Sequence, residues 1–227
     1  MSDNIYDTIN VRFALREQSG MTDEKFEEFL PEFCEKLVDY TFDRFLQDYI
    51  DNLDPKKNDW DNLVKTKADK DWINSTSVVG MKIIKKHMPH IYEVSNFKGL
   101  NIRDLWNAEH IEKALRVNRK SHSTPYTTEI IRQLGFIAGT SKVTIYRPLL
   151  TKRIIQEFNG KNVLDVCVGW GGRMLGSTCI DGVKYTGIEP YSKTFKGLED
   201  MVSELGLGDR VTLYNDCAEN KLSELNR

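Results

Sequence analysis

Residues 163–173 read VLDVCVGWGGR, and this stretch decides the fold. A short apolar run ends in Asp165 and passes at once into a turn that contains Gly169, Gly171 and Gly172. An apolar run of this length is typical of a buried strand. Glycines are needed after it where a ligand lies almost against the backbone, because a Cβ atom would clash. The stretch therefore predicts a strand, a ligand-binding turn and a helix.

The sequence after this stretch continues the alternation of strand and helix. Buried strands are predicted at 162–168, 183–188 and 211–214, with helices at 173–178 and 193–205 between them. This order predicts a parallel sheet with right-handed crossovers. The fold class expected is α/β, with a mostly helical N-terminal region followed by the first half, three parallel strands, of a Rossmann-like domain. The expected division is 1–120 and 121–227.

One acidic residue follows each predicted strand. Asp165 ends the first, Glu189 lies 24 positions later, and Asp216 follows the third. An acid at the position of Glu189 can accept both hydroxyls of a ribose, and Asp216 is placed to accept a hydrogen bond from an adenine amino group. The bunched glycines are not the G-x-G-x-x-G of dinucleotide enzymes, which disfavours an NAD-dependent dehydrogenase.

The run Asp165-x-Cys167-x-Gly169-Trp170-Gly171-Gly172 resembles the Asp-Pro-Phe-x-Gly-Ser-Gly motif of amino-group DNA methyltransferases, which belong to class I of the S-adenosylmethionine-dependent enzymes. It also resembles the corresponding turn of RNA-modifying relatives. The form Gly-Trp-Gly-Gly-Arg, preceded by Tyr146-Arg147-Pro148, is similar to DNA methylases carried by bacteriophages and large DNA viruses. The resemblance covers residues 123–219.

The resemblance implies a methyltransferase that binds S-adenosylmethionine and acts on nucleic acid, on DNA rather than RNA, at the amino group of a base. A helix over 147–158 would pack over the methionine end of the cofactor. The implied cofactor-binding residues are Arg147, Pro148, Asp165, Cys167, Gly169, Trp170, Gly171, Glu189, Asp216 and Cys217.

Two departures from the family pattern leave the activity open. Val166 and Cys167 replace the Pro and Phe of the DNA methylase motif, and no Pro-Pro pair of the acceptor-binding loop occurs in the sequence. No catalytic residue is therefore assigned. We expect a fragment or one part of a split enzyme, with a further strand, from a continuation or a second chain, beside 162–168. The alternative is a catalytically inactive module that binds nucleic acid or a partner protein.

The N-terminal region is predicted to be helical. Aromatic and aliphatic residues recur every three to four positions over 21–50, which predicts a buried helix face, and Pro31 is expected to split or kink that helix. Further helices are predicted at 78–87, 101–113, 127–135 and 149–158, and a short extended stretch at 143–145.

Charge is distributed unevenly along a chain whose net charge is only −2. Acids dominate 23–54, and bases dominate 113–153. This asymmetry favours a surface for a polyanion, although a solvated basic helix has the same composition. The residues expected to bind nucleic acid are Lys113, Arg116, Arg119 and Lys120.

Composition excludes several classes. With 40% hydrophobic and 29% charged residues the 227-residue chain is typical of a globular protein, and it has no apolar run of about 18 residues. It lacks a secretory signal at its N-terminus, so we expect a cytoplasmic protein, in the host cytoplasm if viral, without a membrane partner. The four cysteines have no metal-binding spacing, and the three that lie in 121–227 are expected to be buried thiols.

Overall fold

The computed structural model describes residues 14–51, 59–68, 77–121, 127–140 and 144–225 of a mixed α/β protein. Its contacts divide the chain into two compact units. The helical unit comprises Met1–Asn52 and Pro89–Thr144, and the sheet unit comprises Leu53–Met88 and Ile145–Arg227. This grouping differs from a single division after residue 120, because residues 53–88 pack into the sheet unit.

The sheet unit is built from three strands and six α-helices of its described residues. In chain order they are α3 (Asp61–Lys65), α4 (Met81–His87), α7 (Pro148–Glu157), β1 (Asn162–Asp165), α8 (Gly172–Thr178), β2 (Lys184–Ile188), α9 (Ser192–Leu205), β3 (Val211–Tyr214) and α10 (Ala218–Leu225). The strands are parallel and lie in the order β1-β2-β3. The predicted parallel, three-stranded arrangement is present, and β1 is shorter than 162–168 because the chain turns after Asp165.

The two faces of the sheet differ in burial. In register, Val163 of β1 lies beside Tyr185 of β2, and both belong to the apolar core. Leu164 lies beside Thr186 and points to the other face, because successive side chains alternate along a strand. Its side chain is 54% exposed, and Val166 just after the strand is 43% exposed. Among the described residues no strand pairs with the outer edge of β1.

Residues 53–88 complete the core of the sheet unit. Leu63 of α3 and three apolar residues near α4, Ile83, Ile84 and Met88, have no solvent exposure. They pack in one cluster with side chains of α8 and α9 such as Leu175 and Leu198. Without them, the helical layer on this face of the sheet would expose apolar surface to water.

A buried lysine ties α7 to the end of α3. Lys152 is 4% exposed, and its Nζ donates hydrogen bonds to the carbonyl oxygens of Leu63, Val64 and Thr66, at 2.8, 2.9 and 2.7 Å. The last carbonyls of a helix lack partners within the helix and carry partial negative charge. The three protons of the ammonium group are therefore all used at this helix end.

The helical unit contains α1 (Asp23–Tyr40), α2 (Phe42–Asp51), α5 (Ala108–Lys120) and α6 (Thr127–Ala138), with 3-10 turns at Gln18–Gly20, Pro89–Glu93 and Arg103–Leu105. The predicted apolar stripe over 21–50 is buried, with Phe26, Phe33 and Phe45 each 2% exposed. Of the two expectations for Pro31, the split is wrong, because α1 runs through that residue, and the kink stays a prediction. The helix breaks instead at Thr41, which has a φ of 67° and whose Oγ1 accepts a hydrogen bond from the Arg44 amide.

Two further predictions differ from the structure at element boundaries. The helix predicted at 101–113 becomes a 3-10 turn followed by α5, which begins where the Asn107 side chain caps the His110 amide. Of the stretch predicted at 143–145, residue 143 lies outside the described residues, and 144 and 145 form no strand. No helix among the described residues has the length and apolarity needed to cross a membrane.

Candidate functional site

The carboxyl ends of the three strands bring three acidic residues to one edge of the sheet. Asp165 is the last residue of β1, Glu189 directly follows β2, and Asp216 lies two positions after β3. Because the strands are parallel and adjacent, their carboxyl ends meet at the same edge. A backbone hydrogen bond from Val168 to the carbonyl of Ile188, 3.1 Å, fixes the turn after β1 against the end of β2.

Glu189 joins the glycine turn to the segment after β2. Its Oε2 accepts a hydrogen bond from the Gly169 amide at 2.9 Å, and its Oε1 accepts one from the Tyr191 amide at 3.0 Å. The residue is 6% exposed. A carboxylate offers about four lone-pair positions. Two remain for a ligand's hydroxyl groups while the carboxylate stays fixed by the backbone.

Gly169 leaves the backbone of the turn accessible. Its φ of 57° lies in the left-handed region that glycine adopts without strain, and a Cβ atom placed on it would meet nothing within 4 Å. The space beside this residue, next to the carboxylate of Glu189, is therefore open. The role of Gly169 in binding a ligand stays a prediction.

Gly171, Gly172 and Gly176 allow close packing within the sheet unit. A Cβ atom on Gly171 would lie 2.9 Å from Leu198 Cδ2, and one on Gly172 would lie 1.9 Å from the carbonyl oxygen of Tyr146. One on Gly176 would lie 2.1 Å from the carbonyl oxygen of Pro148. The start of α8 thus packs directly on the backbone that leads into α7. Close helix packing explains these glycines, including Gly171, which the resemblance implies to be a cofactor-binding residue.

Of the three acids at this edge, Asp165 accepts the most hydrogen bonds. Its Oδ2 accepts hydrogen bonds from Arg173 Nε at 2.8 Å and from the Tyr185 hydroxyl at 2.6 Å. Its Oδ1 accepts from Arg173 Nη2 at 3.1 Å and from the Cys167 amide at 3.2 Å. Burial by itself would raise the pKa of Asp165, but these donors outweigh it and hold the pKa below its ordinary value. The same burial raises the pKa of Tyr185, so that its hydroxyl stays protonated and donates.

Asp216 is half-exposed just after the end of β3. Its Oδ1 accepts hydrogen bonds from the Cys217 amide at 2.7 Å and from Asn220 Nδ2 at 3.0 Å. The Asn220 bond, followed by the amide bond, lowers the pKa of Asp216. The carboxylate is therefore ionised at neutral pH and open to solvent.

The other predicted cofactor-binding residues take different positions. Cys167 and Cys217 are exposed at this edge, which corrects the expectation of buried thiols, while Cys179 is buried as expected. Trp170 is half-buried against the apolar core. Pro148 is buried as the first residue of α7, and Arg147, at the N-cap position before it, is exposed.

Sequence reasoning missed Arg173 and Tyr185 as partners of Asp165. Arg173 is the last residue of the quoted motif, and its place one position into α8 could have suggested that it reaches back to the end of β1. No local sequence pattern indicates that Tyr185 bonds Asp165, because this contact depends on how β1 and β2 pair.

The basic residues of α5 lie in the helical unit and two of them have acidic partners there. Arg116 forms ion pairs with Glu27 of α1 and Glu112 of its own helix, at 2.5 and 2.8 Å. Arg119 contacts Asp23 at 2.8 Å and donates to two backbone carbonyls. The acidic and basic stretches of the sequence thus partly neutralise each other within one unit. Lys113 and Lys120 are exposed on the same helix.

No protein-family model, no curated protein and no solved structure matches this chain. In the part of the chain that the structure describes, no group of three histidine, cysteine or acidic side chains could hold a metal ion. The proposed function therefore rests on the geometry of the sheet edge.

Proposed function

We propose that the carboxyl edge of the sheet binds S-adenosylmethionine, and that the chain is the cofactor-binding part of a methyltransferase with a Rossmann-like domain. One observation carries the proposal: Glu189, fixed at the end of the middle strand, holds the amide of Gly169 beside an open space. A nucleoside placed there would give its ribose hydroxyls to Glu189 and its adenine to Asp216.

The charges of the edge favour this ligand over a dinucleotide. The pyrophosphate of NAD would approach a turn beside the carboxylate of Glu189, which is bonded to two neutral backbone amides, and like charges in a partly buried setting repel. S-adenosylmethionine carries a sulfonium and an ammonium group against one carboxylate, and its net positive charge suits an acidic edge.

Calorimetry tests this proposal directly. S-adenosylmethionine and S-adenosylhomocysteine should bind, NAD should not, and Glu189→Ala should weaken binding by about 1–3 kcal/mol, the cost of removing a buried hydrogen-bond partner. Glu199→Ala, which removes an exposed acid of α9, is the matched control and should bind as the unchanged protein does. Binding of NAD with no response to either sulfur compound would overturn the proposal.

The acceptor in this proposal is nucleic acid, with DNA preferred to RNA. Because Arg116 and Arg119 have acidic partners, Lys113 and Lys120 supply the phosphate contacts of α5. Two such contacts give a slope of about −2 for log affinity against log salt on duplex DNA. Lys113→Gln with Lys120→Gln should remove most of this slope, whereas Lys196→Gln with Lys161→Gln should retain it. A salt-independent affinity would contradict the nucleic-acid part of the proposal alone.

A second candidate is a module that binds the cofactor and nucleic acid without transferring a methyl group. The observation in its favour comes from the sequence. It contains no Pro-Pro pair, which the acceptor-binding loop would have, and no Pro-Cys pair, which would supply the nucleophile for methylation at C5 of cytosine. Turnover of S-adenosylmethionine on mixed DNA and RNA separates the two candidates when the chain is assayed together with the continuation or second chain that the first candidate requires. The cofactor-binding part of a methyltransferase then forms a methylated product, whereas the module binds the cofactor but forms none.

A further inference from the structure

We infer that Arg173, held in place by Asp165, binds the α-carboxylate of the ligand's amino-acid end. The inference rests on the proposed function and adds a specificity-determining residue to it. Asp165 uses all of its roughly four acceptor positions on Arg173, Tyr185 and the Cys167 amide, so its role is to orient the arginine.

The order of the strands places the amino-acid end at β1. Glu189 and Asp216 follow β2 and β3, where they suit the ribose and the adenine. Neighbouring strands lie about 4.8 Å apart, so β1 is one spacing beyond the ribose on the side opposite the adenine. The remaining part of the ligand, which carries the sulfur and the amino acid, therefore extends over the carboxyl end of β1.

Arg173 is held at that position by one side of its guanidinium group. Nε and Nη2 donate to the two carboxylate oxygens of Asp165, and Nη2 also contacts the carbonyl oxygen of Cys167. Its guanidinium carbon lies 5.4 Å from the centre of the Tyr146 ring. These contacts orient the planar group before any ligand arrives, so less side-chain conformational entropy is lost on binding.

The opposite side of the guanidinium group is available. Arginine has five N–H donors, and the two on Nη1 have no hydrogen-bond partner among the described residues. The side chain is 35% exposed, so a ligand can reach it. A carboxylate is the acceptor that this geometry matches best, because N–H donors on a charged group bind it strongly.

Arg173 also limits what the site accepts. A ligand that lacks the carboxylate leaves Nη1 of Arg173 without a partner. The site should therefore distinguish S-adenosylhomocysteine from analogues whose carboxylate is blocked, even though the nucleoside is the same.

The test is a cycle of two ligands and two proteins, measured by calorimetry. The ligands are S-adenosylhomocysteine and its α-carboxyl methyl ester, and the proteins are the full chain and Arg173→Gln. The unchanged chain should bind the ester about 10- to 100-fold more weakly, as expected when a hydrogen bond to a charged group is lost. Arg173→Gln should bind the two ligands within about threefold of each other.

The control variant is Arg210→Gln, which removes an arginine at the amino end of β3, where it donates to the carbonyl of Ile180. It should discriminate against the ester as the unchanged chain does. Denaturant unfolding checks that Arg173→Gln folds; if it does not, Arg173→Lys replaces it in the cycle and should show a smaller discrimination than arginine.

Each result supports or overturns a separate statement. Equal weakening of both ligands by Arg173→Gln means that Arg173 only positions Asp165 and the turn, and it overturns this inference. Binding of S-adenosylhomocysteine with no discrimination against the ester in the unchanged chain also overturns it, while the proposed function stands. No binding of either sulfur ligand by the unchanged chain refutes the proposed function itself.

Discussion

At the scale of single residues, neighbouring glycines of one turn have different physical roles. Gly169 has an open space beside it, whereas Gly172 is in contact with the backbone of Tyr146. A substitution at the first would change what a ligand can approach, and one at the second would force two segments of the chain apart. Identical residues two or three positions apart therefore predict different experimental results.

Gly172→Ala should destabilise the protein by at least about 2 kcal/mol. Its new Cβ atom would lie 1.9 Å from a backbone oxygen, which no side-chain rotation can relieve, and overpacking of this kind costs about 1–3 kcal/mol or more. The free energy of unfolding in denaturant measures the effect. Gly208→Ala, at a position with nothing within 4 Å, is the control and should change it by less than about 0.5 kcal/mol. Equal stability of the two variants would contradict the close contact at Tyr146.

At the scale of elements, α4 and α9 are joined by a small charged cluster. Glu204 of α9 accepts hydrogen bonds from Lys86 at 2.8 Å and from His87 Nε2 at 2.7 Å. Burial lowers the pKa of His87 and outweighs the opposite effect of Glu204, while Lys86 also lowers it and Asp200 raises it. The pair of helices is thus sensitive to pH through one histidine.

His87 should make the protein less stable as the pH falls below about 6.5, the ordinary pKa of histidine. Between that value and the lower pKa of the folded state, the unfolded chain binds a proton that the folded chain does not. The stabilisation is therefore complete above about pH 6.5 and is lost as the pH falls through the folded pKa. The measurement is the difference in unfolding free energy between the unchanged chain and His87→Gln, at several pH values. A difference that stays constant from about pH 7.5 to 5.5 would count against this assignment.

At the scale of the whole molecule, the two compact units alternate along the chain. Residues 53–88 belong to the sheet unit although residues 89–144 of the helical unit separate them from the rest of it. A cut at the boundary that the sequence favoured, after residue 120, would remove part of the core of the sheet unit. The division into units therefore affects how any shorter fragment behaves.

A fragment of residues 121–227 should fail to fold cooperatively. It lacks Leu63, Ile83, Ile84 and Met88, and burial of four such side chains contributes about 6–12 kcal/mol, comparable to the net stability of a whole domain. Circular dichroism during thermal unfolding provides the measurement. A fragment of residues 53–227 retains these side chains and should keep a cooperative transition. A sharp transition in the shorter fragment would refute the role assigned to 53–88.

Local sequence was sufficient for the strands, the glycine turn and the acids at the strand ends. An apolar run followed by glycines restricts the backbone within a few residues, and the parallel order of β1, β2 and β3 then brings Asp165, Glu189 and Asp216 to one edge. These features depend on neighbours in sequence and on the handedness of crossovers.

Only the tertiary structure decided which distant groups meet. Lys152 binds carbonyls 86–89 positions earlier in the chain, and Arg116 pairs with Glu27 across 89 positions. The periodicity of the sequence predicts on which side of its helix each of these residues lies. It does not predict the partner, because the partner belongs to a distant segment of the chain. The partners of Asp165 required the pairing of β1 with β2. Burial and charge pairing depend on the folded arrangement of the whole unit, and for this reason the sequence predicted the edge of the sheet but not Arg173 within it.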